Sequence, residues 1–343
     1  LEIKKGVSSS LNFAETSGKY RYGFGADLVT KNYDNNDLGI NFETNYYDFY
    51  GNTNYRILNP TEHFNSFTVN LNAYSQFQKN SEKIQGNDIN MNVNLTNKKN
   101  HFFGFWIDSN PLESYNFYEP RTANRYVIAP AKIGGKFYFS SNYNYKFALY
   151  INPFYAVLSE PGRNSYGFSV GPRYRFNDKF SLIYNFSFSR QNNNKGFVDS
   201  IDEDVNPAKP NAIIFANRNG ITYSKTITGK YSLNSRMNFN LSVRHYWSYA
   251  ENKNFLSLEQ NGRLTDYSAY NTNKNSSFNS WNFDLSYSWW CAPGSQVSVL
   301  YRNNATNFER DINKEFDKNI THLLTNDELS HVFSVSVKYF IDY

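Results

Sequence analysis

Residues His331 to Tyr343 read HVFSVSVKYFIDY, and their reading decides the fold. Phe333, Val335, Val337, Tyr339, Ile341 and Tyr343 alternate with Ser334, Ser336, Lys338, Phe340 and Asp342, the two-residue period of a strand with one apolar face. Six large apolar groups in line, with nothing after them to cover them, are a poor match for a water-exposed edge. Lipid is the environment that suits this face. The preceding hairpin has the same character. Trp281, Phe283, Leu285, Tyr287 and Trp289 alternate with Asn282, Asp284, Ser286 and Ser288, Ala292-Pro293-Gly294 turns the chain, and Val297, Val299 and Tyr301 return. At about 3.3 Å per residue and a barrel-like tilt, Trp281 and Trp289 stand roughly 20 Å apart along a membrane normal, the spacing of two interfacial girdles.

The chain has 343 residues, enough for two soluble domains or one large barrel, and its 29 Tyr and 30 Phe favour the barrel. A mean hydropathy of −0.68 does not oppose this, because a membrane strand needs apolar residues only at alternate positions and the loops are polar. No run approaches the roughly 18 apolar residues of a spanning helix. The single cysteine, Cys291, excludes an intrachain disulfide and reads as a small residue beside a turn. A net charge of +5, scattered along the chain, gives no basis for a nucleic-acid partner.

Alternating segments recur at Ile3–Phe13, Tyr20–Leu28, Leu38–Ile57, Phe67–Ala73, Ile89–Leu95, His101–Ile107, Ile133–Phe139, Phe147–Ile151, Phe168–Phe176, Phe180–Phe188, Ile221–Leu233, Met237–Val243, Trp281–Trp289, Ser295–Arg302 and His331–Tyr343. Between them, short turns near Ser17, Asn59, Lys98, Asn142, Asp178, Ser235 and Pro293 take turns with longer connections, including the irregular stretch Asp108–Pro130. This asymmetry predicts an all-β, antiparallel transmembrane outer-membrane β-barrel with short periplasmic turns and long extracellular loops. About fifteen strands are visible, and an even-numbered barrel of about sixteen then needs one before Leu1. The chain opens inside an alternating segment without a signal peptide and is expected to be a mature or truncated form, residues 1–343 being one barrel domain with a periplasmic C-terminus.

Several segments carry a family resemblance: Asn36-Asp37-Leu38-Gly39-Ile40, Ile57–Phe77 (ILNPTEHFNSFTVNLNAYSQF), Tyr115–Tyr126 (YNFYEPRTANRY), Val243–Leu264 (VRHYWSYAENKNFLSLEQNGRL) and Ala292–Asn303 (APGSQVSVLYRN). Together they resemble the C-terminal barrel of a Bacteroidota family of outer-membrane proteins in which a carbohydrate-binding family 9-like domain precedes the barrel. The resemblance spans nearly the whole chain and rests on turn and loop signatures. It implies a Gram-negative outer membrane, outer-membrane lipid as a partner, and other surface proteins or a glycan as further partners. Members are often labelled hydrolases, but the amino-terminal domain has no counterpart in residues 1–343, so none of its roles passes to residues here.

Positions opposite the apolar face carry Arg21, Lys132, Lys136, Arg173, Arg175, Arg244, Arg302 and Lys338 against Asp27, Asp284 and Asp342, so the lumen reads basic and suits anions unless these charges pair among themselves. Large inward groups such as Ile183 and Phe340 point to partial filling. Asp199, Asp202, Glu203 and Asp204 form an acidic loop that lacks the ligand order and glycine of a calcium loop, which makes it a weak candidate for Ca²⁺ and favours a solvated acidic loop. Tyr115, Phe117, Tyr118, Glu119, Arg121 and Tyr126 put aromatics beside charges, a composition suited to stacking on sugars, docking a partner or packing on itself. Trp247, Trp281, Trp289 and Tyr343 are the girdle candidates. Lys225 falls in the lipid-facing register of its strand, which predicts a bulge or a position near the rim. His245 shares the apolar register with Trp247, while Ser242 and Ser248 point the other way, so no Ser-His-carboxylate set forms; catalytic residues, cofactors and resident metals are each expected to be none. The expectation is a non-enzymatic barrel that anchors, or passes substrate for, a glycan-related or multi-protein surface assembly. Two alternatives stand beside it: the membrane domain of a hydrolase whose catalytic residues lie upstream, and a passive anion-preferring porin.

Overall fold

The computed structural model describes residues 5–36, 43–201, 212–325 and 329–341. The chain opens with β1 (Ser8–Glu15), β2 (Tyr20–Val29), β3 (Tyr46–Ile57), β4 (Phe64–Gln78), β5 (Ile84–Asn97) and β6 (Phe102–Asn110), then a small hairpin of β7 (Ser114–Asn116) and β8 (Val127–Ala129). It continues through β9 (Lys132–Ser140), β10 (Phe147–Leu158), β11 (Asn164–Arg175), β12 (Phe180–Ile201), β13 (Ala212–Asn234), β14 (Met237–Leu258), short β15 (Leu264–Asp266), β16 (Ser276–Ala292), β17 (Ser295–Glu309), one helix α1 (Phe316–Thr325) and β18 (Ser330–Lys338). Apart from the β7–β8 pair, these strands form one sixteen-stranded sheet, in which β15 pairs only the end of β14 and the other strands lie side by side in chain order. All neighbours are antiparallel, as the alternating pattern predicts.

Asparagines make the short turns. Asn97 Oδ1 accepts from the N–H groups of Lys99 and His101, Asn177 Oδ1 from those of Lys179 and Phe180, and Asn234 Oδ1 from that of Arg236, so each side chain supplies a local partner for backbone leaving the ladder. These turns share one end of the sheet.

The two faces differ in kind. One is a ladder of aromatic pairs, with ring centroids 5.2 Å apart for Phe103 and Phe139, 5.1 Å for Phe105 and Phe137, and 4.9 Å for Phe239 and Tyr287. Much of it is uncovered: Phe24 is 56%, Phe105 55% and Tyr155 55% exposed. The other face is polar, and across β3, β4 and β5 it is an asparagine ladder in which Asn54 donates to Asn70, Asn70 to Asn92, and Asn72 Nδ2 to Asn90 Oδ1 at 2.8 Å. No helix among the described residues is long and apolar enough to cross a membrane.

The structure departs from the sequence reading at several places. The last strand, expected over His331–Tyr343, spans Ser330–Lys338, Tyr339 to Ile341 carry no strand, and residues 342–343 lie outside the described residues. The strand expected over Leu38–Ile57 begins at Tyr46, and residues 37–42 lie outside the described residues. The stretch Asp108–Pro130 is not wholly irregular, since it holds β7 and β8. Strands β12, β13 and β14 extend well past their alternating cores, because loops cover both faces of their tips. Val127, Ile213, Phe215, Leu256 and Leu258 form one buried cluster there, and Ile201, Ala212, Ile214 and Tyr267 another. With both faces apolar, the alternation disappears.

The sheet also curls. The backbone N–H of Thr44, just before β3, donates to the Tyr118 hydroxyl, while the next residue, Glu119, accepts from the Phe197 N–H of β12 at 2.9 Å. Two adjacent residues and their hydrogen bonds span about 20 Å. In a flat sheet β3 and β12, seven strand steps apart, would be separated by about 34 Å. Bending of the sheet brings them within reach.

Candidate functional site

Residues 111–131 bridge the curled sheet at the end opposite the asparagine turns. On one side Lys83, in the β4–β5 connection, places Nζ 4.2 Å from the ring centre of Tyr115 and 5.0 Å from that of Tyr126. On the other, Arg125 donates to the carbonyls of Leu258 and Glu259 at 2.9 and 3.0 Å, and Ile128 N–H to Gly262 O at 2.9 Å. Arg263 clasps Glu113 through two parallel bonds of 3.0 Å, the fork geometry only arginine offers. Gly262 has φ +80°, and a Cβ there would lie 2.3 Å from the Tyr126 ring, so both conformation and space require glycine.

A cavity of about 360 Å³ lies under this bridge, lined by Asn116, Glu119, Arg163, Asn194, Lys195 and Arg218 among others. Glu160 pins two of its cations, accepting from Arg163 and Lys195 at 3.0 Å each. Burial alone would push the Glu160 carboxyl up, but the hydrogen bonds and charges of Lys195 and Arg163 outweigh it and hold the group below its ordinary value. A second cavity, about 330 Å³, is lined by Glu43, Gln76, Gln85 and Tyr115 to Tyr118. The bridge therefore separates a cationic wall on β11–β13 from a wall of acid and amide groups near β3 and β4.

Helix α1 forms a second composite site. Asn313 Oδ1 caps its approach by accepting from Glu315 N–H at 3.0 Å. The helix lies on the aromatic register of β13, β14 and β16, where Lys225 Nζ stands 3.4 Å from the Phe316 ring centre. His245 is 4% exposed, with its ring 5.6 Å from that of Phe316 and Nε2 2.9 Å from Asn279 Oδ1. Asn279 in turn donates to Asn319 on the helix. A cleft of about 460 Å³ beside the helix is lined by Asn279, Asn307, Glu309, Asp317, Asn319 and His322 among others.

The family described as "Domain of unknown function (DUF5916)" matches residues 1–343. The chain belongs to this family. No curated protein matches it.

In this DUF5916 chain the residues singled out from sequence have the following places. Tyr115, Phe117, Tyr118, Glu119, Arg121 and Tyr126 come together in the bridge. Phe117 packs at a tilt against Tyr126 with ring centres 5.3 Å apart, and the Arg121 guanidinium lies 4.6 Å from the Phe197 ring centre. Of the basic set, Lys132 pairs with Asp108 at 2.9 Å and Arg302 with Asp284 at 2.5 Å. Arg173 donates to the carbonyls of Tyr143 and Tyr145 and Arg175 to that of Tyr143, while Lys136 Nζ sits 5.9 Å from the Trp106 ring centre. Arg21 lies on the polar face with Nε buried, and Arg244 and Lys338 are exposed. Asp199, near the end of β12, pairs with Lys274 and accepts from the Tyr270 hydroxyl, both at 2.7 Å, so it is engaged by the connection between β15 and β16; Asp202, Glu203 and Asp204 lie outside the described residues. No group of three metal-ligating side chains forms among the described residues.

Of the two readings of Lys225, a bulge or a place near the rim, the bulge is absent: the ladder passes Lys225 without a register shift, and the Phe316 ring of α1 lies beside its charge. One expectation for a single residue is corrected. Trp247 is not a lipid-facing girdle residue: it is 2% exposed, stacked on Tyr223 and tilted against Tyr249, with its indole N–H on Ser277. Trp289 is exposed, Trp281 donates to Asn303 at 2.8 Å, and Tyr343 lies outside the described residues. Lys83, Arg125, Lys195, Arg218 and Gly262 escaped the sequence reading, since each meets neighbours far away in the chain; Arg163 escaped it too, although its ion-pair partner Glu160 is only three residues earlier.

Proposed function

We propose that residues 1–343 form the transmembrane β-barrel of a Gram-negative outer-membrane protein that anchors, or serves as a translocation component of, a surface assembly. The carrying observation is the uncovered aromatic face that recurs along the sheet, backed by a polar face rich in asparagine. Burying such a face in lipid removes it from water, and antiparallel strands satisfy their backbone groups within the ladder. The asparagine turns then lie on the periplasmic side and the 111–131 bridge at the extracellular mouth.

The bridge favours an anchor or gated component over a passive pore. A continuous strap tied to both walls by Lys83, Tyr118, Glu119 and Arg125 narrows the mouth, and Asp108 and Asp284 neutralise two of the basic groups. Outer-membrane lipid is the direct partner. A glycan-related assembly in Bacteroidota is the wider setting, supported by the family resemblance alone.

Single-channel conductance of the purified protein in a planar bilayer tests this. The expected record is silent, with stable steps appearing once residues 112–129 are replaced by a short glycine-serine link. Stable open steps with the bridge intact would instead favour the passive pore.

A further inference from the structure

Three cations line the cavity under the bridge, and only two of them pair with a carboxylate among the described residues. Arg163 and Lys195 share Glu160 at 3.0 Å each. Arg218, half-buried toward the start of β13, makes no hydrogen bond or ion pair among the described residues. Gly196 of β12 leaves room for its head group, since a Cβ there would collide with Arg218 Nη2 and Cζ. Glu119, the acid on the same lining, is engaged by the Phe197 N–H at 2.9 Å. Counting Glu160 with its partners, three cations face two carboxylates, and the uncompensated charge is that of Arg218.

The groups around Arg218 add to a surplus of donors. Asn116 Oδ1 already accepts from the N–H groups of Tyr118 and Glu119 at 2.9 Å each, so Nδ2 is what its side chain has left to offer. Arg163 spends Nη1 on Glu160 and Nη2 on Asn194, while its Nε is buried without a partner. Asn252, directly across the ladder from Arg218, buries both amide atoms unpaired. Unmade hydrogen bonds in a half-buried wall are costly. A planar guanidinium with all its donors unused matches an oxyanion, which supplies acceptors in the same fork geometry together with the missing negative charge.

We propose that this cavity binds a hydroxylated carboxylate of the sugar-acid class, with Arg218 clamping the carboxylate. The carboxylate follows from the donors, and the hydroxyls follow from the neighbouring space. Arg218 and Asn194 line not only the cavity of about 360 Å³ but also a recess of about 250 Å³ that carries Ser189, Gln191, Thr222 and Ser248. Hydroxyl and amide groups both donate and accept, so the recess suits neutral hydroxyls rather than a second charge. A ligand with its anionic end on Arg218 can extend its hydroxylated part into that recess. None of these contacts involves the outer aromatic face, so the site stands or falls separately from the barrel reading.

Calorimetric titration of the purified protein at low salt, with sodium glucuronate as the probe, tests the site. Glucuronate should bind one-to-one and more tightly than glucose, which lacks the charge, or acetate, which lacks the hydroxyls. Arg218→Gln should weaken glucuronate at least about tenfold. Gly196→Ala retains every charge and displaces only the far end of a flexible side chain, so it should fold normally and weaken glucuronate as well. Lys253→Gln removes the same charge from a lysine held by Asn193 at 2.7 Å and should leave glucuronate binding near wild type. No binding to the wild-type protein, undiminished binding in both Arg218→Gln and Gly196→Ala, or an equal loss in Lys253→Gln would overturn the proposal. Acetate binding as tightly as glucuronate would overturn the place of the hydroxyls in the recess. None of these outcomes depends on conductance, so failure here leaves the anchor reading to its own test.

Discussion

Lys225 Nζ stands 3.4 Å from the centre of the Phe316 ring, a cation held over an aromatic face on the side of the sheet that otherwise carries tyrosine, tryptophan and isoleucine. A lysine in that register would be costly in hydrocarbon. The helix resolves this by placing an aromatic over the ammonium, with Asp317 following, and by continuing the contact through His245, Asn279 and Asn319. A charged, amide-bearing helix packed here also places the level of Lys225 and His245 above the hydrocarbon in the barrel reading.

Phe316→Ala should undock α1, because it removes both the cation–π contact, about 0.5–2 kcal/mol, and the cover over His245. Lys225→Met should leave the helix docked, since the methionine side chain packs on the same ring without a charge to shield. Hydrogen exchange across residues 316–325 reads the difference. Equal protection in the two variants would show that Phe316 is not the latch.

The Glu160 triad predicts a pH window. The folded carboxyl titrates below its ordinary value of 4.5, so its contribution is fully present above that value and is lost as pH falls through 4.5 toward the lower folded value. Glu160→Gln should therefore lower the melting temperature at pH 7 and change it far less at pH 3. A destabilisation of the same size at both pH values would remove the ion pairs with Arg163 and Lys195 from the account.

Much of the fold was legible because alternation is a local property. Val335, Val337, Leu285 and Phe283 each announce their face within a few residues, and the resulting antiparallel meander is the one observed. The places where the reading went astray share one cause, contact between distant segments. Nothing near Lys225 shows that Phe316, some ninety positions later, will cover it, and Trp247 reads as a girdle residue until Tyr223 and Tyr249 close around it. The bridge was visible as a cluster of aromatics and charges, but its grip on Lys83, Leu258 and Gly262 depends on the curl of the whole sheet.

Glu119 should be a clasp of the bridge. Glu119→Gln keeps an acceptor for the Phe197 N–H, whereas Glu119→Ala leaves that group unpaired, at about 1–3 kcal/mol where it is shielded from water. Trypsin cleavage after Arg121 and Arg125 should then accelerate in the alanine variant and stay near wild type in the glutamine variant. Cleavage at wild-type rate in both would show that the bridge is held by its other ties alone.

The two faces of β16 give the most direct test of the membrane register. Leu285 lies between Leu241 and Tyr301 on the aromatic side, and the next residue, Ser286, between Asn240 and Leu300 on the other. If the aromatic face meets hydrocarbon, Leu285→Arg places a guanidinium near mid-bilayer and should weaken insertion by roughly 2–4 kcal/mol. Ser286→Arg introduces the same charge, volume and strand propensity one position away, where Arg302 and Asp284 already sit, and should insert almost normally. Both substitutions place the same arginine side chain on β16, one position apart and on opposite faces, so reversible folding into lipid vesicles compares the two faces, with the loss of the leucine side chain as the remaining difference. Equal losses would reject the register, and a greater loss for Ser286→Arg would put the lipid on the polar side.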